Sequence, residues 1–187
     1  MSKARAKRIK LVLFDVDGVM TDGKIWIFPA PGGGLVEAKG FHAQDGAGIS
    51  LLRHAGIKTG LITKRQSETV ALRARDLKMD YVCQGIHDKR SAFFEILKKE
   101  QLAAGDACFV GDDLIDLPVL RVCGLAIAVQ NARPEVKQAA HHVTAHSGGD
   151  GAVRDAAEYV LKAQGRWVDV FESYIALSGE GGGSREQ

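Results

Sequence analysis

Leu11-Val12-Leu13-Phe14-Asp15-Val16-Asp17-Gly18-Val19-Met20-Thr21 is an apolar strand that stops at two carboxylates set two residues apart and followed by glycine. Alternate side chains of a strand share a face. Asp15 and Asp17 are therefore expected to emerge together at the carboxyl end, where open α/β sheets bind their ligands. Two adjacent acids repel unless a positive group sits between them or one is protonated. A divalent cation resolves that conflict, and the pair then suits phosphoryl transfer, with one carboxylate as nucleophile and its neighbour as general acid/base. Two solvated aspartates in a strand-to-loop turn is the plainer reading, since Asp and Gly are ordinary turn residues.

Polar groups recur at later strand ends. Lys58-Thr59-Gly60-Leu61-Ile62 ends in Thr63, and Ala107-Cys108-Phe109-Val110 ends in Gly111-Asp112-Asp113-Leu114-Ile115-Asp116. Lys89 follows a short apolar segment, Tyr81-Val82-Cys83, and the loop Gln84-Gly85-Ile86-His87-Asp88. Singly, Thr63 and Asp112 also read as helix caps and Lys89 as a solvated lysine. Their order and placement are what is improbable by chance.

The rest of the chain alternates helix and strand. Lys24-Ile25-Trp26-Ile27-Phe28, a Pro/Gly-rich turn from Pro29 to Gly34, and Leu35-Val36-Glu37-Ala38 predict a β-hairpin. Its consecutive large apolar residues leave one face wet, which marks a protein contact. Asp45 is a candidate N-cap for a helix through Ala55, stopped by Gly56. Helices over Ser67 to Lys78, Lys89 to Lys99 and Leu114 to Val122 then alternate with strands over Tyr81 to Cys83, Ala107 to Val110 and Leu125 to Val129, as in a parallel sheet with crossover helices. Pro134 opens another helix, and Ala152 to Ala163 forms one more. The expected organisation is a basic tail over 1–8, a single domain over 9–178 and a flexible glycine-rich tail over 179–187.

With 187 residues, 45% hydrophobic and 26% charged, the chain fits one domain with a sizeable core. Lys3, Arg5, Lys7, Arg8 and Lys10 hold five of its 25 basic residues; without them 20 basic face 23 acidic residues, a charge of about −3 instead of +2. Such a basic segment reads as a disordered solubilising end, or a weak polyanion contact, rather than a nucleic-acid groove. No stretch has the length of a membrane span or a signal-peptide core, which points to the cytoplasm. Cys83, Cys108 and Cys123 match no zinc spacing and read as buried, reduced thiols. His141, His142 and His146 flank a short strand at Val143 and Thr144, so adjacent histidines point to opposite faces and a metal role is not expected.

The order Asp-x-Asp, Thr, Lys, Gly-Asp-Asp-x-x-Asp resembles the four motifs of the haloacid dehalogenase superfamily, from about Ile9 to Trp167. Asp15-Val16-Asp17-Gly18-Val19-Met20-Thr21-Asp22-Gly23, Gln84-Gly85 before Lys89, Gly111-Asp112-Asp113-Leu114-Ile115-Asp116-Leu117-Pro118-Val119 and Gly148-Gly149-Asp150-Gly151-Ala152-Val153-Arg154 resemble more closely one cap-less subfamily, the 3-deoxy-D-manno-octulosonate 8-phosphate phosphatases of lipopolysaccharide synthesis. The resemblance implies a Rossmann-like α/β fold, a parallel sheet with helices on both faces and a protruding hairpin. The short intervals between motifs leave no room for a lid.

It also implies an Mg²⁺-dependent phosphatase acting through an aspartyl-phosphate. Asp15 is the expected nucleophile and Asp17 the acid/base; Thr63 and Lys89 hold the phosphoryl oxygens. Asp15, the Asp17 carbonyl and Asp112 ligate the metal, with Asp113 and Asp116 behind them holding metal waters and Lys89. Arg65 and Arg73, eight residues apart, match a clamp for the sugar-acid carboxylate, and also read as surface arginines. The expected partner is a phosphorylated sugar acid, and a homotetramer assembled through hairpins covers the site. Lys64, Gln44 and Ala47 depart from the subfamily pattern and keep a nine-carbon 2-keto-3-deoxy sugar-acid phosphate open as substrate. A non-catalytic oligomeric module of the same fold and a nucleic-acid end phosphatase also stay open at this point. The Gly148 to Arg154 segment reads as an anion site at a helix start or as a plain turn.

Overall fold

Along the chain run α1 (Ser2–Ala6), β1 (Leu11–Phe14), β2 (Trp26–Pro29), β3 (Leu35–Ala38), α2 (Ala43–His54), β4 (Lys58–Ile62), α3 (Glu68–Asp76), β5 (Tyr81–Cys83), α4 (Lys89–Glu100), β6 (Ala107–Gly111), α5 (Leu117–Leu120), β7 (Leu125–Ala128), α6 (Pro134–Ala139), β8 (His142–Val143), α7 (Ala152–Ala163) and α8 (Trp167–Glu180). The computed structural model describes residues 2–180. Six strands form a sheet in the order β5-β4-β1-β6-β7-β8, parallel throughout. Leu11 stands in register with Lys58 on one side and Ala107 on the other. β1, β6 and β7 are buried along their whole lengths, as parallel strands covered on both faces must be. That is why they read as unbroken apolar runs rather than alternating ones.

Helices flank the sheet in two main groups: α7 contacts α1, α2 and α8, with α2 also on α8, and α4 and α6 each contact α5. The chain leaves β1 toward β4 and β5, then returns to β6 on the other side. This reversal opens a crevice at the carboxyl ends of the central strands. Only the hairpin and α2 lie between β1 and β4, and only α3 and β5 between β4 and α4, so no lid is inserted. β2 and β3 pair antiparallel, with Trp26 opposite Ala38 and Phe28 opposite Val36. Trp26, Ile27, Phe28, Leu35 and Val36 are all exposed on this hairpin.

Several expectations are corrected. The first residues are not a loose basic tail: Ser2–Ala6 is helical, Ala6 and Ile9 are buried, and Arg5 Nη1 donates to the Gly124 carbonyl at 3.0 Å. Gln164 Nε2 donates to the Ile9 carbonyl at 2.8 Å and fixes the junction with β1. At the other end helix α8 reaches Glu180, because Val170 is buried and Trp167 and Tyr174 pack on the core at helical spacing. The rest of the tail expected to be flexible, residues 181–187, lies outside the described residues. The helix expected over Leu114 to Val122 is a 3-10 turn at Leu114–Asp116 followed by the short α5. Cys108 and Cys123 are buried, Cys83 is half-buried, and all three are free thiols.

Asp45 does not cap its own helix. His42 takes the N-cap position of α2, and the buried Asp45 carboxylate reaches across to α7, where Oδ1 accepts from the Arg154 N–H at 2.9 Å. Burial raises its pKa against the pull of the α7 backbone N–H groups. The anion at the Gly148 to Arg154 segment is thus the protein's own carboxylate, which ties α2 to α7. Replacing Asp45 by Ala strips this cross-helix cap and is expected to cost about 1–2 kcal/mol, read as a lower urea midpoint at unchanged m-value.

Candidate active site

β1 ends at Phe14, and Asp15 follows at the mouth of the crevice with its N–H on the Val110 carbonyl at 3.0 Å. Lys89, the first residue of α4, points inward instead of to solvent. Its side chain is 2% exposed, and Nζ lies 2.7 Å from both Asp15 Oδ1 and Asp116 Oδ1. Asp88 caps α4 by accepting from the Ser91 N–H at 3.0 Å. Asp116 is wholly buried, and its other oxygen accepts from the N–H groups of Asp112 (2.9 Å) and Asp113 (3.3 Å). A single carboxylate thereby fixes both the ammonium and the loop that carries Asp112.

Asp15, Asp112 and Asp116 each offer an oxygen within 4.8 Å of the others, and no other such group of acids, histidines or cysteines is found among the described residues. Burial, with Asp116 next, pushes Asp15 up to about 7 against the pull of Lys89. Burial, then Asp116, Asp15 and Asp113, pushes Asp112 up to about 8. Lys89 is pulled down by burial, but the charges of Asp15 and Asp116 outweigh this and raise it. One lysine does not balance three acids, and Asp112 Oδ1 is buried with no hydrogen-bond partner. An all-oxygen donor set with an orphaned carboxylate oxygen fits a small hard cation such as Mg²⁺.

The loop after Asp17 is shaped to leave that space. Gly18 has φ +92°, and a Cβ there would stand 2.2 Å from Asp112 Oδ2. Thr21, buried and not singled out by its sequence context, donates to the Val16 carbonyl at 3.3 Å and accepts from the Gly23 N–H at 3.2 Å. From far downstream Gly148 packs on the loop so closely that a Cβ would meet the Gly18 carbonyl at 1.7 Å.

Thr63 is buried, its N–H on the Cys83 carbonyl at 2.9 Å. It is no helix cap, since α3 begins at Glu68 with Ser67 as N-cap. Gln84 accepts from the Ser67 N–H at 2.8 Å and Gly85 donates to the Arg65 carbonyl at 3.2 Å, which gives the Gln-Gly pair its role in shaping this loop. Asp15, Asp17, Thr63, Lys64, Arg65, Asp112, Asp113 and Ile115 line a cleft of ≈ 220 Å³.

Three expected partnerships take another form. The Asp17 carboxylate does not join the acid cluster: Oδ1 is bound by Lys39 Nζ, and Arg65 Nε lies 3.7 Å from Oδ2. The Asp113 side chain accepts from the Leu114 N–H at 2.7 Å and does not reach Lys89. Arg73 stands apart from Arg65; its guanidinium lies 5.7 Å from the centre of the Phe41 ring and close over Gly46. The histidines are dispersed as expected, His141 on the Ala126 N–H, His142 stacked on Tyr159 and His146 on Asp155.

The raised carboxylates set a pH dependence. In the unfolded chain both ionise near about 3.9. Between there and about 7 to 8 the folded, metal-free protein holds more protons than the unfolded chain, so its stability falls as pH rises through that window. In EDTA the melting temperature is expected to drop from about pH 5 to about pH 8, and Mg²⁺ to raise it more at the upper end, where protons no longer compete. Differential scanning fluorimetry checks both; an equal Mg²⁺ gain at the two pH values contradicts the coupling.

Comparison with known proteins agrees with this geometry. Residues 77–155 match a model of haloacid dehalogenase-like hydrolases. The 3-deoxy-D-manno-octulosonate 8-phosphate phosphatase of Yersinia pestis is 40% identical over 174 residues, covering 93% of this chain and 89% of that protein. That of Escherichia coli is 39% identical over 163 residues, 87% of this chain and 85% of the other. The crystal structure of the Moraxella catarrhalis enzyme, in complex with magnesium, phosphate and KDO, superposes with TM-score 0.86 at 35% identity, over 92% of this chain and 97% of that one. With relatives this similar along most of both chains, and with the acids, threonine and lysine gathered at one crevice, the chain belongs to the 3-deoxy-D-manno-octulosonate 8-phosphate phosphatase family of haloacid dehalogenase-like hydrolases.

Proposed function

We infer that this chain hydrolyses 3-deoxy-D-manno-octulosonate 8-phosphate to the free sugar acid and phosphate, an Mg²⁺-dependent step of lipopolysaccharide synthesis. The observation that carries the reading is the buried Lys89 ammonium against Asp15, in a crevice shared with the orphaned oxygen of Asp112, in a chain so similar to enzymes of that name. A carboxylate held by a cation, pointing into an open cleft, is placed to act as nucleophile.

In this reading a carboxylate oxygen of Asp15 attacks phosphorus. As the bond from phosphorus to the sugar oxygen breaks, protonated Asp17 gives its proton to the leaving oxygen, and Asp15 carries the phosphoryl group. Asp17 then takes a proton from the water that attacks phosphorus, releasing phosphate and restoring Asp15. Lys89 and the Thr63 hydroxyl hold the non-bridging oxygens, Asp116 holds Lys89, and Asp113 stands behind the metal site. Asp15, the Asp17 carbonyl and Asp112 would hold Mg²⁺, which would supply positive charge to the phosphoryl oxygens. Arg65, at the mouth, is the group best placed to meet the sugar-acid carboxylate. Arg73, packed on Phe41, belongs to α3, the helix that follows the Arg65 loop.

In this reading a single catalytic domain runs from α1 through α8. The exposed apolar hairpin supports a homotetramer in which a neighbouring subunit covers the lidless cleft, and no helix among the described residues is long and apolar enough to cross a membrane. We place the enzyme in the cytoplasm, a reading supported by its three cysteines, all of them free thiols.

Two measurements test this. Mg²⁺-dependent phosphate release from a panel of eight- and nine-carbon sugar-acid phosphates, hexose phosphates and nucleotides is expected to favour the eight-carbon compound, and Asp15→Asn to lose more than about a thousandfold of it. Preference for the nine-carbon compound would trace to Lys64 or Gln44. Multi-angle light scattering is expected to give a tetramer, and Trp26→Glu with Leu35→Glu a smaller species.

A further inference from the structure

Lysines are almost never buried unless paired, yet the side chain of Lys39, just past β3, is 0% exposed. It is one of a ring of four charged groups. Lys39 Nζ binds Asp17 Oδ1 and stands 3.5 Å from Glu37 Oε1; Arg65 binds Glu37 Oε2 through Nη2, and its Nε stands 3.7 Å from Asp17 Oδ2. With Asp17 ionised, the form that takes a proton from the attacking water, two anions and two cations alternate and the ring is neutral; the protonated form keeps Oδ1 on Lys39 and carries its proton on Oδ2. Each oxygen of Asp17 faces a different cation, one carried by the hairpin and one by the loop after β4. This ring is separate from the Lys89 cluster: the two carboxylates two residues apart each have an ammonium of their own.

We propose that Lys39 is a positioning residue for phosphate-ester cleavage: from the base of the hairpin, with Glu37 as strut, it holds the Asp17 carboxylate in the orientation from which a proton reaches the leaving oxygen. The proposal rests on the reading of Asp17 as the acid/base. A carboxylate on a turn swings about two side-chain torsions, and proton transfer needs the donor within hydrogen-bond reach of one oxygen of the substrate. Restraint at Oδ1 removes that freedom and leaves Oδ2, which Arg65 approaches only to 3.7 Å, to carry the proton. Arg65 alone does not supply it, since it is closer to Glu37 than to Asp17. Lys39 contacts neither the Asp15, Asp112 and Asp116 cluster nor Lys89 in any ion pair of the structure.

The test exploits leaving-group chemistry in the full-length Mg²⁺-loaded protein. A sugar alkoxide needs a proton to depart, whereas p-nitrophenolate does not. Single-turnover release of the leaving group is measured for 3-deoxy-D-manno-octulosonate 8-phosphate and p-nitrophenyl phosphate in wild type, Lys39→Met, Lys39→Arg and Asp17→Asn. Lys39→Met is expected to lose roughly 10–100-fold on the sugar phosphate, with KM changed less than about twofold and much less loss on the aryl ester. Lys39→Arg is expected to recover most of the rate. Equal losses on both substrates, a loss confined to KM, or no loss at all overturns the proposal. If Lys39→Met does not fold, Glu37→Gln, which keeps both cations, is expected to give a smaller loss of the same selectivity, and no selectivity overturns the idea. Asp17→Asn separates the two levels: if it lacks the leaving-group signature the acid/base reading itself fails, whereas a signature in Asp17→Asn that is absent from Lys39→Met removes Lys39 alone.

Discussion

The ammonium of Lys89, closed off between Asp15 and Asp116 at 2.7 Å from each, is the contact on which the rest of the site depends. Three elements converge there: the end of β1, the first residue of α4 and the 3-10 turn after β6. A buried charge is tolerable only when paired, and removing one partner of such a pair costs about 3–5 kcal/mol. The sheet meets this demand by topology, because parallel strands deliver all their carboxyl ends to one edge. Asp116 adds the backbone N–H groups of Asp112 and Asp113 to the same network, so Asp15, the Lys89 ammonium and the loop that carries Asp112 share one set of contacts.

That network leaves a deficit of positive charge. Asp15 and Asp112 are driven upward by burial and by neighbouring acids, and Gly18 and Gly148 keep side chains out of the space beside them. The protein has thus arranged a place whose carboxylates are unfavourable by themselves, which is how a site prefers a divalent ion over water and protons. A polar side chain donated at position 18 could have relieved the strain, but it would have filled the cavity.

Much of this could be read from the sequence where a single local signal sufficed. An apolar run ending in acids located β1, and Tyr81-Val82-Cys83 and Ala152 to Ala163 coincide with β5 and α7. Thr63, Lys89 and Asp112 were placed correctly at strand or helix ends because their spacing tracks the βαβ repeat. What escaped depends on contacts between distant segments. Ser2–Ala6 looks like a charged tail because its one buried side chain, Ala6, carries little hydrophobic signal. Asp45 has the look of a cap for α2, and only the packing of α7 shows which helix it serves. Lys39 reads as an ordinary lysine at a strand end, and only the folded hairpin brings it onto Asp17. Arg65 and Arg73 share a helical spacing, but α3 starts only at Glu68, so the spacing says nothing about where Arg65 points.

The central position of β1 has a consequence for synthesis. Its two partners are β4, which begins at Lys58, and β6, which begins at Ala107, and the loop beyond it is clasped by Gly148. A ribosome therefore releases this wholly apolar strand first and its second edge partner about a hundred residues later, during which time at least one of its edges is open to pairing with other chains. The order of strands that creates the crevice also makes the nascent polypeptide a client for whatever shields exposed strands until the second half of the chain arrives.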